Sequence, residues 1–147
     1  MYDTILIPYD GSDEAKKGAE HGIGLADALG ASVHALYVAD LPGVPRALAL
    51  RDDEEQLRQE YQEYGEEAVS AVADLAAEHD VECTTAIRTG SVSEEIVDYA
   101  EDEGMDAIVM GSAYRGKLGS LIGGTTDKVV RTATVPVITQ RMHADEI

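Results

Sequence analysis

Apolar positions along the chain change period repeatedly, and the changes mark out strands alternating with helices. Thr4-Ile5-Leu6-Ile7 is a short unbroken apolar run, as expected of a strand buried on both faces of a parallel sheet. Pro8 ends its ladder, and Tyr9-Asp10-Gly11-Ser12 turns into a helix with Ser12 as N-cap and Asp13 and Glu14 in the first turn. Ala15, Ala19, Ile23, Ala26 and Leu29 make one apolar stripe, which Gly30 stops. Ser32 to Val38 alternates and then turns fully apolar, a second strand. From Asp52 to His79 the period is helical, with Leu57, Tyr61, Tyr64, Ala68, Val72 and Leu75 on one face. Val81, Cys83, Thr85 and Ile87 alternate through a third strand. Ser91 with Glu94 reads as a capping box ahead of a short helix carrying Ile96, Val97 and Ala100. Ala107 to Met110 is a fourth strand, Thr125 to Ala133 a helix, and Val135-Pro136-Val137-Ile138 a fifth strand.

Strands alternating with helices in this way predict an α/β fold with a parallel sheet and right-handed crossovers. At 147 residues the chain is expected to form one domain, residues 1–141, with a frayed C-terminal tail at 142–147. Residues 39–51, with Pro42, Gly43 and Pro45, are the longest irregular piece and are expected to be mobile.

Charge narrows the class of partner. Twenty-nine acidic residues stand against 11 basic ones, for a net charge of -18. Such a surface repels nucleic acid and anionic membranes, so neither is expected as a partner. It suits a halophilic cytoplasm, where salt screens self-repulsion, or an ordinary acidic cytosolic protein. Cys83 is the lone cysteine, which excludes an intrachain disulfide and fits a reducing compartment. No apolar run reaches the length of a membrane span, and Met1-Tyr2-Asp3-Thr4 carries no basic signal region, so a cytoplasmic location is expected.

Two loops carry candidate chemistry. After the fourth strand, Gly111-Ser112 opens a Gly-rich stretch with Gly116, Gly119, Gly123 and Gly124, followed by Thr125-Thr126 at a helix start. Glycines let backbone N–H groups approach a phosphate, and a helix N-terminus favours negative charge. The expected ligand is a nucleotide, with Gly124, Thr125 and Thr126 donating to phosphates and Asp10 accepting from ribose hydroxyls if the first and fourth strands are neighbours. The competing readings are an Asx-turn for Asp10, an ordinary N-cap for Thr125, and solvated loop charges for Arg115 and Lys117.

The opening Ile-Leu-Ile-Pro-Tyr-Asp-Gly-Ser, the Met-Gly-Ser after the fourth strand, the Gly-Thr before the last helix and the closing Val-Pro-Val-Ile resemble the universal stress protein (UspA) family. The resemblance covers essentially the whole chain. It implies a three-layer α/β/α sandwich with a five-stranded parallel sheet in the order 3-2-1-4-5, of the adenine nucleotide alpha hydrolase-like kind. It also implies a homodimer paired through the last strand, Val135 to Gln140, whose apolar edge carries no charge before Arg141. By similarity Pro8, Tyr9 and Val38 fall on the adenine side, with Met110 and Gly111 below it. Ser112 is counted among the binding residues, and Arg115 and Lys117 supply cations able to meet phosphates in an otherwise acidic chain.

ATP-binding members carry Gly, two residues, Gly, nine residues, then Gly and Ser or Thr. Gly111, Gly124 and Thr125 match that pattern, but Tyr114 stands where the second glycine belongs. Two readings therefore stay open. One is a non-catalytic dimer in the stress response that binds ATP, ADP or AMP, with Mg2+ on the phosphates, and signals occupancy to a protein partner. The other is an interaction protein that does not bind ATP because of Tyr114. Slow ATPase activity is the third and weakest reading. The chain lacks a Ser-Gly-Gly loop after the first strand and a Walker lysine, and the histidines at 21, 34, 79 and 143 have no metal-ligand spacing. Asp102 and Glu103 read as solubility charges, and no catalytic constellation or metal site is expected.

Overall fold

Elements alternate along the chain in the predicted sequence: β1 Thr4–Pro8, α1 Asp13–Leu29, β2 Ser32–Ala39, α2 Arg51–Glu78, β3 Cys83–Thr89, α3 Val92–Asp102, β4 Ala107–Ser112, α4 Thr125–Thr132 and β5 Val137–Arg141. The structure, a computed structural model, describes residues 1–40, 51–112 and 124–142, with residues 51–54 as backbone only. The irregular piece at 41–50, the loop holding Tyr114, Arg115, Gly116 and Lys117, and the tail at 143–147 lie outside the described residues.

All strand pairings are parallel, and the sheet order is β3-β2-β1-β4-β5. Helices α1 and α2 pack on one face and α3 and α4 on the other, the three layers that the family resemblance implies. The unbroken apolar run of β1 follows from its central place. Ile5 and Ile7 face the α1–α2 layer, Leu6 faces the α3–α4 layer, and all three are 0% exposed. Burying such a side chain is worth about 1.5–3 kcal/mol, so both faces of β1 anchor the core.

Helix α1 starts and stops as its sequence dictates. The Ser12 hydroxyl accepts the Ala15 N–H at 3.2 Å, and Gly30 closes the helix in the left-handed region with φ 69°. Ala15, Ala19, Ile23 and Ala26 are buried, together with Gly18 and Gly22, which an apolar count passes over. Leu29, expected on the buried stripe, is 50% exposed. It sits in the last turn, beside the Gly30 cap.

Further expectations are corrected. Strand β3 begins at Cys83 rather than Val81, because the Val81 N–H is used to close α2 on the Ala76 carbonyl at 2.9 Å. Strand β5 begins at Val137 rather than Val135: Pro136 has no N–H to give, and only its carbonyl joins the sheet, accepting from Ile108 at 2.9 Å. Ser91 is the N-cap of α3, but its hydroxyl makes no capping bond. The carboxylate at that corner is Glu95, whose side chain lies against Gly90 and within 3.7 Å of Arg88, while Glu94 is exposed. Asp102, expected as a solubility charge, pairs with Arg88 at 3.3 Å. At the chain's far end Met142 is buried, and its N–H reaches the Ser112 carbonyl at 3.3 Å.

Candidate functional site

The chain leaves β1 for α1 in one layer and leaves β4 for α4 in the other. β1 and β4 are neighbours, so the two connections diverge and open a crevice beyond the carboxyl ends of the strands, the usual ligand position in open α/β sheets. A cavity of about 410 Å³ lies there, within the roughly 300–1,000 Å³ of small-molecule sites. Pro8, Tyr9, Asp10, Val38, Met110, Gly111, Thr125 and Thr126 all line it, so the fold brings the two predicted loops and the end of β2 together. Ser112 and Gly124 adjoin the cavity in sequence but are not among its lining residues. Arg115 lies outside the described residues.

At the β1–α1 corner the Tyr9 N–H is tied to the Leu36 carbonyl at 2.8 Å, and Gly11 turns the chain with φ +83°. One Asp10 carboxylate oxygen, Oδ1, accepts the Ser12 N–H at 2.9 Å. That is an Asx-turn, so the competing reading of Asp10 is realised in the backbone. It does not exhaust the side chain, since Oδ2 makes no hydrogen bond among the described residues. The N-terminus of α1 is capped by the Ser12 hydroxyl; acids stand in the first turn of both helices, Asp13 and Glu14 in α1 and Asp127 in α4, so the cap is what distinguishes them.

Helix α4 is built differently. Its N-cap is Gly124, not Thr125, and it has no side-chain capping bond. The first-turn N–H groups therefore have no side-chain acceptor from the cap. The Thr126 hydroxyl, expected to donate to a phosphate, donates instead to the Gly111 carbonyl at 3.1 Å. With its single proton so used, Thr126 offers a ligand its backbone N–H and an acceptor oxygen. This bond fixes the start of α4 to the end of β4. Gly111 is a glycine for a packing reason: a Cβ there would strike the Glu14 carbonyl of α1.

Tyrosine and carboxylate dominate the walls. Tyr37, Tyr61 and Tyr64 line the cavity beside Tyr9, and the acidic residues among its lining are Asp10, Glu14 and Asp40. No Lys, Arg or His lines the cavity among the described residues. Burial pushes the Tyr9 and Tyr37 hydroxyls above the ordinary tyrosine range, with the nearby Asp10 charge adding to both. No group of three or more His, Cys, Asp or Glu among the described residues could hold a metal ion. The cavity can thus grip a base with apolar and aromatic surface, accept from sugar hydroxyls, and give backbone N–H groups to one anionic end. Among the described residues it supplies no nucleophile–base pair and no cation for a polyphosphate. Sequence reasoning placed Tyr61 and Tyr64 on one face of a helix but did not bring that face to the site. Tyr37, Glu14 and Asp40 carried no signal beyond lying next to residues that did.

No helix among the described residues is long and apolar enough to cross a membrane. The family model for the universal stress protein family matches residues 1–141. Universal stress protein MJ0531 of Methanocaldococcus jannaschii is 36% identical over 144 residues, covering 94% of this chain and 81% of its own. Among solved structures, hypothetical protein MJ0577 superposes with a TM-score of 0.82 at 27% identity, over 97% of this chain and 98% of that one. A universal stress protein family protein from Arabidopsis thaliana, solved with AMP bound, superposes with a TM-score of 0.74 at 20% identity, over 98% and 94%. Sheet order, the crevice between β1 and β4, and a family match running almost the full length agree: this chain belongs to the universal stress protein family.

Proposed function

We propose that the crevice binds an adenine nucleotide and that the protein is a non-catalytic, nucleotide-binding homodimer of the stress response. The observation that carries the reading is the pairing of two ends in one cavity: an Asp10 carboxylate oxygen free to accept, and the uncapped N-terminus of α4 able to donate. Pro8, Val38 and Met110 give the base an apolar seat between them. The Arabidopsis relative with AMP bound supports the ligand class. Calorimetric titration with AMP, ADP and ATP, each with and without Mg2+, tests it. Saturable binding of at least one nucleotide is expected, and silence up to millimolar ligand rejects the proposal. Prolonged incubation with ATP is expected to yield no ADP.

Among the three nucleotides, the walls favour fewer phosphates or a metal complex. Asp10, Glu14 and Asp40 repel a bare triphosphate, so ATP is expected to need Mg2+ more than AMP does. The homodimer would pair the β5 edges across Val135 to Gln140. β5 bonds to β4 on one side, and Val137 and Ile138, half-buried on its two opposite faces, leave apolar surface beside the edge. Sedimentation of wild type against Ile138→Lys tests this, with loss of dimer expected.

A second reading also has an observation behind it. Thr126 gives its proton to Gly111, and the described lining is acidic, both of which suit a family member that docks partners without ATP. Tyr114→Gly decides: new ATP affinity in the variant and none in the wild type would favour it.

A further inference from the structure

The Asp10 backbone is held from a distant part of the chain. Its carbonyl accepts the Tyr64 hydroxyl of α2 at 2.6 Å, across 54 positions of sequence. Gly11 follows in the left-handed region, and a Cβ there would lie 2.7 Å from the same Tyr64 oxygen. The tyrosine therefore presses on the corner where Asp10 leaves the sheet. Tyr64 is itself braced: its ring tilts 60° against Tyr37 with centroids 5.5 Å apart. Tyr37 is buried, and its ring lies over Gly65, where a Cβ would collide with it.

Asp10 is exposed, and an exposed carboxylate on a glycine corner would swing with its peptide plane. Two bonds remove that freedom, the Asx-turn from Oδ1 to the Ser12 N–H and the Tyr64 bond to the carbonyl. Together they hold its carbonyl and one carboxylate oxygen, and leave Oδ2 without a hydrogen bond among the described residues of a side chain that lines the cavity. A hydrogen-bonding group fixed before the ligand arrives binds more tightly than one that must be ordered on binding.

We infer that Tyr64 is a positioning residue for Asp10, and that through it α2 sets how strongly the site reads ribose hydroxyls. The inference rests on the nucleotide-binding reading. The Tyr64 ring also borders the cavity, so a plain packing role would weaken every ligand alike. A positioning role weakens only ligands that carry the hydroxyls Asp10 accepts.

The test titrates AMP and 2′,3′-dideoxy-AMP against wild type and Tyr64→Phe, with thermal melts to verify that both are folded. Wild type is expected to prefer AMP by about tenfold, the scale of one hydrogen bond to a charged group. Tyr64→Phe is expected to weaken AMP by about fivefold and leave the dideoxy compound within twofold, shrinking the preference. Equal weakening of both ligands, or no change in either, overturns the inference and leaves nucleotide binding standing. A wild type that binds neither compound overturns the nucleotide reading, and this inference with it.

Discussion

Gly18 of α1 and Gly111 of β4 meet backbone to backbone. A Cβ on Gly18 would strike the Gly111 amide nitrogen and lie 2.8 Å from the Met110 carbonyl carbon, and a Cβ on Gly111 would strike the Glu14 carbonyl. The missing side chains let the first helix settle directly on the strand that forms the cavity floor. Gly111→Ala and Gly18→Ala are each expected to lower stability by about 1–3 kcal/mol, read as a fall in urea midpoint at constant slope. Gly111→Ala should also weaken nucleotide binding. Gly24, on the exposed side of the same helix with nothing within 4 Å, is the control: Gly24→Ala should stabilise by about 0.5–1 kcal/mol.

Salt is expected to strengthen nucleotide binding. A net charge of -18 and three carboxylates on the cavity wall oppose an anionic ligand at long range. The donated N–H groups act at contact, where screening is weak. Raising KCl from about 0.1 M to about 1 M cuts the screening length from about 10 Å to about 3 Å, so the repulsion fades first. AMP affinity should rise severalfold over that range in calorimetry. A fall would mean that attraction to cations governs the site.

Asp106 gives stability an acid limit. Its Oδ2 accepts the backbone N–H groups of Asp3 at 2.8 Å and Thr4 at 3.0 Å, and these bonds, that from Thr4 foremost, hold its carboxyl below its ordinary value of 3.8. The folded form binds the proton more weakly than the unfolded chain does. Its contribution is therefore complete above about pH 4 and lost as pH falls through the lowered folded value. Asp106→Asn should lower stability at neutral pH and flatten this acid-side fall. A variant with wild-type pH dependence from pH 5 to pH 2 contradicts the assignment.

On the α3 side a buried ring ties three elements together. The Tyr99 hydroxyl meets His34 Nδ1 at 2.7 Å, and the Arg88 guanidinium lies 4.8 Å above the ring while reaching Asp102. Tyr99→Phe keeps the ring and the cation but leaves the half-buried imidazole unpartnered, so about 1–2 kcal/mol should be lost. Arg88→Ala keeps the imidazole bond and should cost about 1 kcal/mol. The two values can be compared directly in urea unfolding.

The fold was legible wherever one local rule acted alone. The doubly buried β1, the Ser12 cap and the Gly30 stop each rest on a few adjacent residues, and each formed as read. The sequence reading erred where a backbone group had a competing partner. Val81 gives its N–H to α2, Pro136 has none to give, and Glu95 lies where Glu94 was expected. At the site, the loop residues were legible because glycine and hydroxyl side chains mark a helix start. The Tyr64 contact to Asp10 was not, since it depends on how α2 lies over the sheet, which no local pattern encodes.

The chain has no Trp and no Phe, so its near-ultraviolet emission comes from seven tyrosines, and among the described residues four of them, Tyr9, Tyr37, Tyr61 and Tyr64, border the cavity. A molecule settling there must alter the quenching of those four rings, while Tyr99 on the opposite layer serves as a bystander. The protein thus carries its own optical probe of occupancy, readable without a label.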